Sequence, residues 1–155
     1  MTMSARLRDL LDEGNIRYRL MTHSPALTAQ EGAATLHVPA KELAKTVVVR
    51  AGDETLLAVL PATCRISLKK LSAVVGKAFR LATEQELGSL FPDCEVGAMP
   101  PFGQLCGLPV YVDEALANDE EIVFNAGTHR EAIRMRYADY CGLAKPSVRL
   151  FAEKG

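Results

Sequence analysis

The sequence predicts an α+β domain with a largely antiparallel sheet, and three observations carry that reading. Short β-rich runs come in adjacent pairs, Ala44–Arg50 with Thr55–Leu60 and Glu121–Asn125 with Arg130–Arg136, each pair split by a turn signal as hairpins require. Helical segments with capping signals do not alternate one-to-one with strands, which argues against a doubly wound fold. The 155 residues suit a single domain over 1–155, since a chain of this length buries roughly two-thirds of its unfolded surface.

The elements follow in order. Ser4 can cap a first helix that carries Leu7, Leu10 and Leu11 on one face and stops at Gly14. Ile16 to Met21 alternates, with Ile16, Tyr18 and Leu20 on one side, and reads as a strand. Thr28-Ala29-Gln30-Glu31 has the capping-box pattern and opens a helix to about Leu36; Pro39 to Leu43 is a helical turn. The first hairpin turns at Gly52-Asp53, and Pro61 ends its second strand. Ser67 to Val75 is a helix stopped by Gly76, and Lys77 to Leu81 a short strand. Thr83-Glu84-Gln85-Glu86 is a second capping box, whose helix ends before Phe91-Pro92. The segment Gly97 to Gly103 holds too much Gly and Pro for a regular element. Val110 to Val112 is a strand and Asp113 to Leu116 a helical turn. The second hairpin turns at Ala126-Gly127-Thr128, Tyr137 to Cys141 begins a last helix, and Pro146 leads an extended tail.

Composition excludes several classes. Apolar residues are 48% and charged residues 24%, which rules out disorder. No run approaches the ~20 apolar residues of a membrane span. The start, Met1 to Arg6, lacks the apolar centre of a signal peptide, so a cytoplasmic protein away from membranes is expected. A net charge of −1 excludes a general polyanion binder. The charges segregate, however: Arg65, Lys69, Lys70, Lys77 and Arg80 fall in a stretch without acids, and five acids between Asp113 and Glu121 in one without bases. Each is a solvated face or, for the basic run, a phosphate-binding patch. Cys64, Cys94, Cys106 and Cys141, with His23, His37 and His129, match no metal-ligand spacing, so neither metal nor cofactor is expected. No glycine-rich nucleotide fingerprint is present.

Three places can carry chemistry. Lys45 opens a strand in phase with Val47 and Val49, where its ammonium could meet a phosphate or carbonyl at the mouth of the core. The alternative is a rim lysine whose stem packs and whose head reaches water. The Gly97–Gly103 loop can present backbone N–H groups to an oxyanion, or be a connection alone. His129, after Asn125-Ala126-Gly127-Thr128, is in phase with Ile133 and Met135 and can be a general base or a satisfied histidine at the core edge. His23 and Ser24 form a weaker polar spot.

Together these segments resemble the YbaK family, also called the prolyl-tRNA-synthetase-associated editing domain, from about Leu7 to about Phe151. The resemblance rests on Ala44-Lys45-Thr46 opening a hydrophobic strand, on Leu60-Pro61 followed by Arg65 to Leu71, on Gly97-x-x-x-Pro101-x-Gly103, and on Asn125-Ala126-Gly127. It implies a mostly antiparallel, barrel-like mixed sheet flanked by helices, and hydrolysis in trans of the ester of mischarged aminoacyl-tRNA without a cofactor. It places the functional lysine at Lys45 and the substrate loop at Gly97, Pro101 and Gly103. With His129 these form the expected catalytic set. The expected substrate contacts are Thr46, Phe102, Asn125 and Gly127, with Arg65, Lys69 and Lys70 toward acceptor-stem phosphates. The implied partners are the aminoacylated 3′ end of tRNA and an aminoacyl-tRNA synthetase. Many members carry a His-Pro-like segment where this chain has Asn125-Ala126-Gly127. A non-catalytic module of the same fold, holding aminoacyl-tRNA or a nucleotide, is the competing expectation; a thiol enzyme using Cys64 or Cys106 is the third.

Overall fold

Local signals define the element ends in the computed structural model, which describes residues 3–22, 36 and 38–154. The Ser4 hydroxyl accepts the Leu7 N–H at the start of α1 (Ala5–Glu13), which buries Leu7 and Leu11. β1 is Tyr18–Thr22. β2 (Ala44–Ala51) and β3 (Glu54–Pro61) form the first hairpin, turning through Gly52 at φ +62°. β4 (Cys64–Ile66) leads to α2 (Leu68–Val75), capped by Ser67 and ended by a left-handed Gly76. After β5 (Arg80–Leu81), the expected Thr83/Glu86 capping box opens α3 (Glu84–Leu90). β6 (Val110–Asp113), α4 (Glu114–Ala117), β7 (Glu121–Thr128), β8 (Glu131–Arg136), α5 (Tyr137–Ala144), β9 (Ser147–Arg149) and β10 (Ala152–Lys154) complete the order. The helix expected from Thr28, and His23, Ser24 and His37, lie outside the described residues.

The second hairpin departs from expectation. Ala126 and Gly127 form no turn; β7 runs through them to Thr128 with a register shift after Asn125. The turn falls at His129-Arg130, because the Thr128 hydroxyl accepts the N–H groups of Arg130 and Glu131 and closes it there.

The described strands form three sheets: β1-β8-β7, β10-β4, and β5-β2-β3-β6-β9. Antiparallel pairing predominates, as expected, but β3-β6 and β6-β9 are parallel and no single barrel closes among the described residues. Both faces of β2 are covered. Ala44 and Val48 enter the main core with Phe102, Phe124 and Tyr140, whereas Val49 meets Leu60, Leu71 and Phe151 on the other side. A third apolar cluster joins Leu36, Val38, Leu43, Val123 and Ala132. Asp113, the first residue of the acidic run, is buried. It caps α4 and accepts the Phe151 and Ala152 N–H groups, so it is a structural tie for the tail.

Candidate functional site

The site is built where two sheets meet. Leu43 and Val123 form an isolated parallel bridge that sets β2 beside β7. Side chains alternate along strands, so Lys45 follows Leu43 and Asn125 follows Val123 on the same faces of their strands. The bridge is isolated, so it fixes the meeting of the two strands at Leu43 and Val123, with Lys45 and Asn125 each two residues further along its own strand. Lys45 is half-buried, and burial pushes its ammonium below the ordinary lysine range. Among the described residues it has no ion-pair partner. Thr46 lies on the opposite face, buried in line with Ala44 and Val48, and so does not share Lys45's surroundings.

Beyond Asn125 the strand holds the glycine-proline loop. The Gly127 N–H donates to the Ala98 carbonyl at 2.9 Å, and the Gly127 carbonyl accepts the Glu95 N–H at 2.8 Å. Gly127 has φ +97°, and a Cβ there would lie 3.3 Å from Ser4 Cβ and 3.4 Å from Cys94 Sγ. His129 closes the clip: its N–H donates to Glu95 Oε1 at 2.7 Å, and its Nε2–H to the Val96 carbonyl at 2.8 Å. A carbonyl only accepts, so Nε2 carries a proton in this bond. The imidazole lies against Gly97, which is exposed at φ +86°. Gly97, Gly127 and His129 are therefore brought together at the end of the strand that carries Asn125.

The far end of the loop is anchored in the core. Tyr140 Oη donates to the Pro101 carbonyl at 2.8 Å. Phe102, expected to touch substrate, is fully buried and packs edge-on against Phe124 and Tyr140. Gly103 is needed because a Cβ would stand 1.9 Å from the Leu108 carbonyl oxygen. These residues hold the loop, and Gly97 with its neighbour Val96 is the part that reaches solvent.

The expected basic patch is mostly neutralised. Arg65 pairs with Glu153, Lys77 with Glu54, and Arg80 with Glu86. Lys69 and Lys70 are exposed and lack acidic partners among the described residues. Burial pushes the Cys106 thiol up and the Cys94 thiol up to about 12, which removes Cys106 as a ready thiolate. No group of three or more His, Cys, Asp or Glu with metal-binding geometry occurs among the described residues.

Sequence reasoning missed the clamp on the loop. Ser4 N–H donates to the Ala126 carbonyl at 3.1 Å, and its hydroxyl to Asp93. Arg6 pairs with Asp93 at 2.7 Å and also donates to the Leu105 carbonyl. The Arg6 guanidinium holds the Asp93 carboxyl down at about 2. No local pattern announces a pair separated by 87 residues.

Comparisons with known proteins agree with this architecture. The family model for the aminoacyl-tRNA editing domain matches residues 23–143, and this chain belongs to that family. The multifunctional Ser/Thr-tRNA deacylase ProXp-y of Escherichia coli strain K12 is 31% identical over 150 residues, covering 92% of this chain and 89% of that protein. The proline–tRNA ligase of Thiobacillus denitrificans is 32% identical over 101 residues, 64% of this chain but 17% of that enzyme. A crystal structure of a candidate trans-editing enzyme for prolyl tRNA synthetase superposes with a TM-score of 0.85 at 25% identity, covering 98% of this chain and 99% of that one.

Proposed function

We propose that this protein is a trans-acting aminoacyl-tRNA deacylase that clears mischarged tRNA, with Lys45, Asn125 and the Gly97 turn as its working surface. The observation that supports the reading is the Leu43–Val123 bridge, which brings the start of Lys45's strand against the strand that carries Asn125 and Gly127 and holds the loop. An aminoacyl ester is already activated, so positioning and charge stabilisation supply much of what its hydrolysis by water needs. The Lys45 ammonium anchors the terminal nucleotide's phosphate or ribose. The Gly97 N–H is held by Met99 Sδ alone, at 3.3 Å, and a thioether is a weak acceptor that a developing oxyanion displaces. His129 acts as a positioning residue that keeps this turn in shape.

The amino acids removed are small and polar, serine and threonine first, as in the E. coli relative's name. Work beside prolyl-tRNA synthetase in the cytoplasm fits the ligase relative; no described helix is long and apolar enough to cross a membrane. The test is deacylation of a panel of tRNAs charged with alanine, serine, threonine, cysteine and proline. Release from one or more is expected. Binding to charged tRNA with no release from any would assign the non-catalytic module instead.

A further inference from the structure

One face of the β1-β8-β7 sheet carries an arginine cluster that the site does not use. Arg19 pairs across strands with Arg134, and Arg17 stands one step before the Tyr18–Met135 pair, opposite Arg136. These four line a groove of about 510 Å³ with Tyr18, Met135, Glu121 and Asp139, so four cations face two acids. Arg134 is held by Glu121 at 3.0 Å and Glu42 at 3.5 Å. Arg17, Arg19 and Arg136 are exposed and have no ion-pair partner among the described residues. Arg134's two carboxylates offset its charge beside Arg19, and they leave Arg17, Arg19 and Arg136 as the free cations of this face among the described residues.

The position of the cluster bears on its ligand. Glu121 at the groove and Asn125 lie on one face of β7, on either side of Val123, which the third apolar cluster covers. Four strand residues span about 14 Å. That is roughly four nucleotide steps at the 3.4 Å rise of a stacked strand. We propose that Arg17, Arg19 and Arg136 bind the phosphate backbone of tRNA a few nucleotides behind its esterified 3′ end. This rests on the deacylase reading for what occupies the Asn125 end, and it moves the main backbone contact away from the Arg65–Arg80 stretch, whose charges are largely paired. The contact reads no sequence; it sets the register of the 3′ end on the site.

The experiment measures binding of uncharged tRNA by fluorescence anisotropy between about 50 and 200 mM salt, for wild type, the triple variant Arg17→Ala/Arg19→Ala/Arg136→Ala, and Arg149→Ala as an exposed control on another sheet. Each lost phosphate contact lowers the log–log salt slope by about 1, so the triple variant should lose a slope of about 2–3 and roughly tenfold or more in affinity at low salt. Arg149→Ala should match wild type. If the triple variant does not melt cooperatively, Arg17→Ala alone, which precedes β1, should lose a slope of about 1. Unchanged affinity and slope, or no tRNA binding by wild type, overturns the proposal. Hydrolysis of an aminoacyl-adenosine ester, which lacks the phosphates, separates the two readings. The triple variant should hydrolyse it like wild type while losing activity on charged tRNA. A wild type inactive on both substrates removes the deacylase reading, and the binding data still decide the arginine groove.

Discussion

The Gly127 N–H donates to the Ala98 carbonyl at 2.9 Å, and this bond ties the solvent-facing turn of the glycine-proline loop to the strand that carries Asn125. The tie works at φ +97°, with Ser4 and Cys94 closing the space a side chain would need. Gly127→Ala should therefore cost about 1–3 kcal/mol in stability. It should also lower deacylation more than tenfold, because the turn shifts relative to Lys45. Thermal melting and single-turnover hydrolysis on the same preparation check both; a loss of stability with full activity would detach the turn from the site.

Two other glycines should respond in opposite directions. Gly103→Ala drives a methyl into the Leu108 carbonyl and should destabilise by roughly 1–3 kcal/mol. Gly88, inside α3, has open space around its Cβ position, so Gly88→Ala should stabilise by about 0.5–1 kcal/mol through helix propensity. Denaturant unfolding of the two variants measures the contrast, and equal midpoints would contradict the packing described for Gly103.

Acid should unpick the α1 clamp. Asp93 is held at about 2 by Arg6, below its ordinary 3.8, so its contribution to stability is full above about pH 4 and is lost as pH falls through about 2. The pair is partly exposed, which limits the contribution to about 1 kcal/mol, or 2–4 °C in melting temperature for a chain of this size. Asp93→Asn should melt lower than wild type at pH 7, and the two curves should converge near pH 2. A gap that persists at pH 2 would mean that packing, not charge, makes the contact.

Sequence reasoning reached the parts of this fold that are local. The caps at Ser4 and Thr83, the stop at Gly76 and the hairpin at Gly52 depend on residues a few positions apart, and each stands as expected, while Ser67, read as the first helical residue, serves as the cap. The turn placed at Ala126-Gly127-Thr128 moved because one hydroxyl, on Thr128, captures the next two amides. The parallel pairs β3-β6 and β6-β9 carry no short-range signal. At the site, Gly97 and His129, which belong to two segments singled out in the sequence, lie against each other. Thr46 and Phe102 lie in the core instead, turned there by strand alternation and an aromatic triad. The basic run looked unopposed because its acids, Glu153, Glu54 and Glu86, are brought to it by strand pairing and by the cap of α3.

The central claim is that Lys45 acts on substrate rather than on the fold, and burial lets one comparison decide it. A half-buried ammonium pushed below its ordinary value makes the unfolded chain bind more protons, so stability should rise with pH as Lys45 discharges, and a neutral replacement should melt no lower than wild type at pH 7. The measurement is single-turnover hydrolysis of the best-cleaved charged tRNA, with melting temperature, for wild type, Lys45→Ala, Lys45→Met and Lys45→Arg. Lys45→Ala and Lys45→Met should lose about 100-fold or more in rate with melting temperatures at or above wild type, and Lys45→Arg should rescue in part at most, because a planar fork does not replace a compact ammonium. Well-folded Lys45→Ala protein that turns over at a near-normal rate would contradict the account.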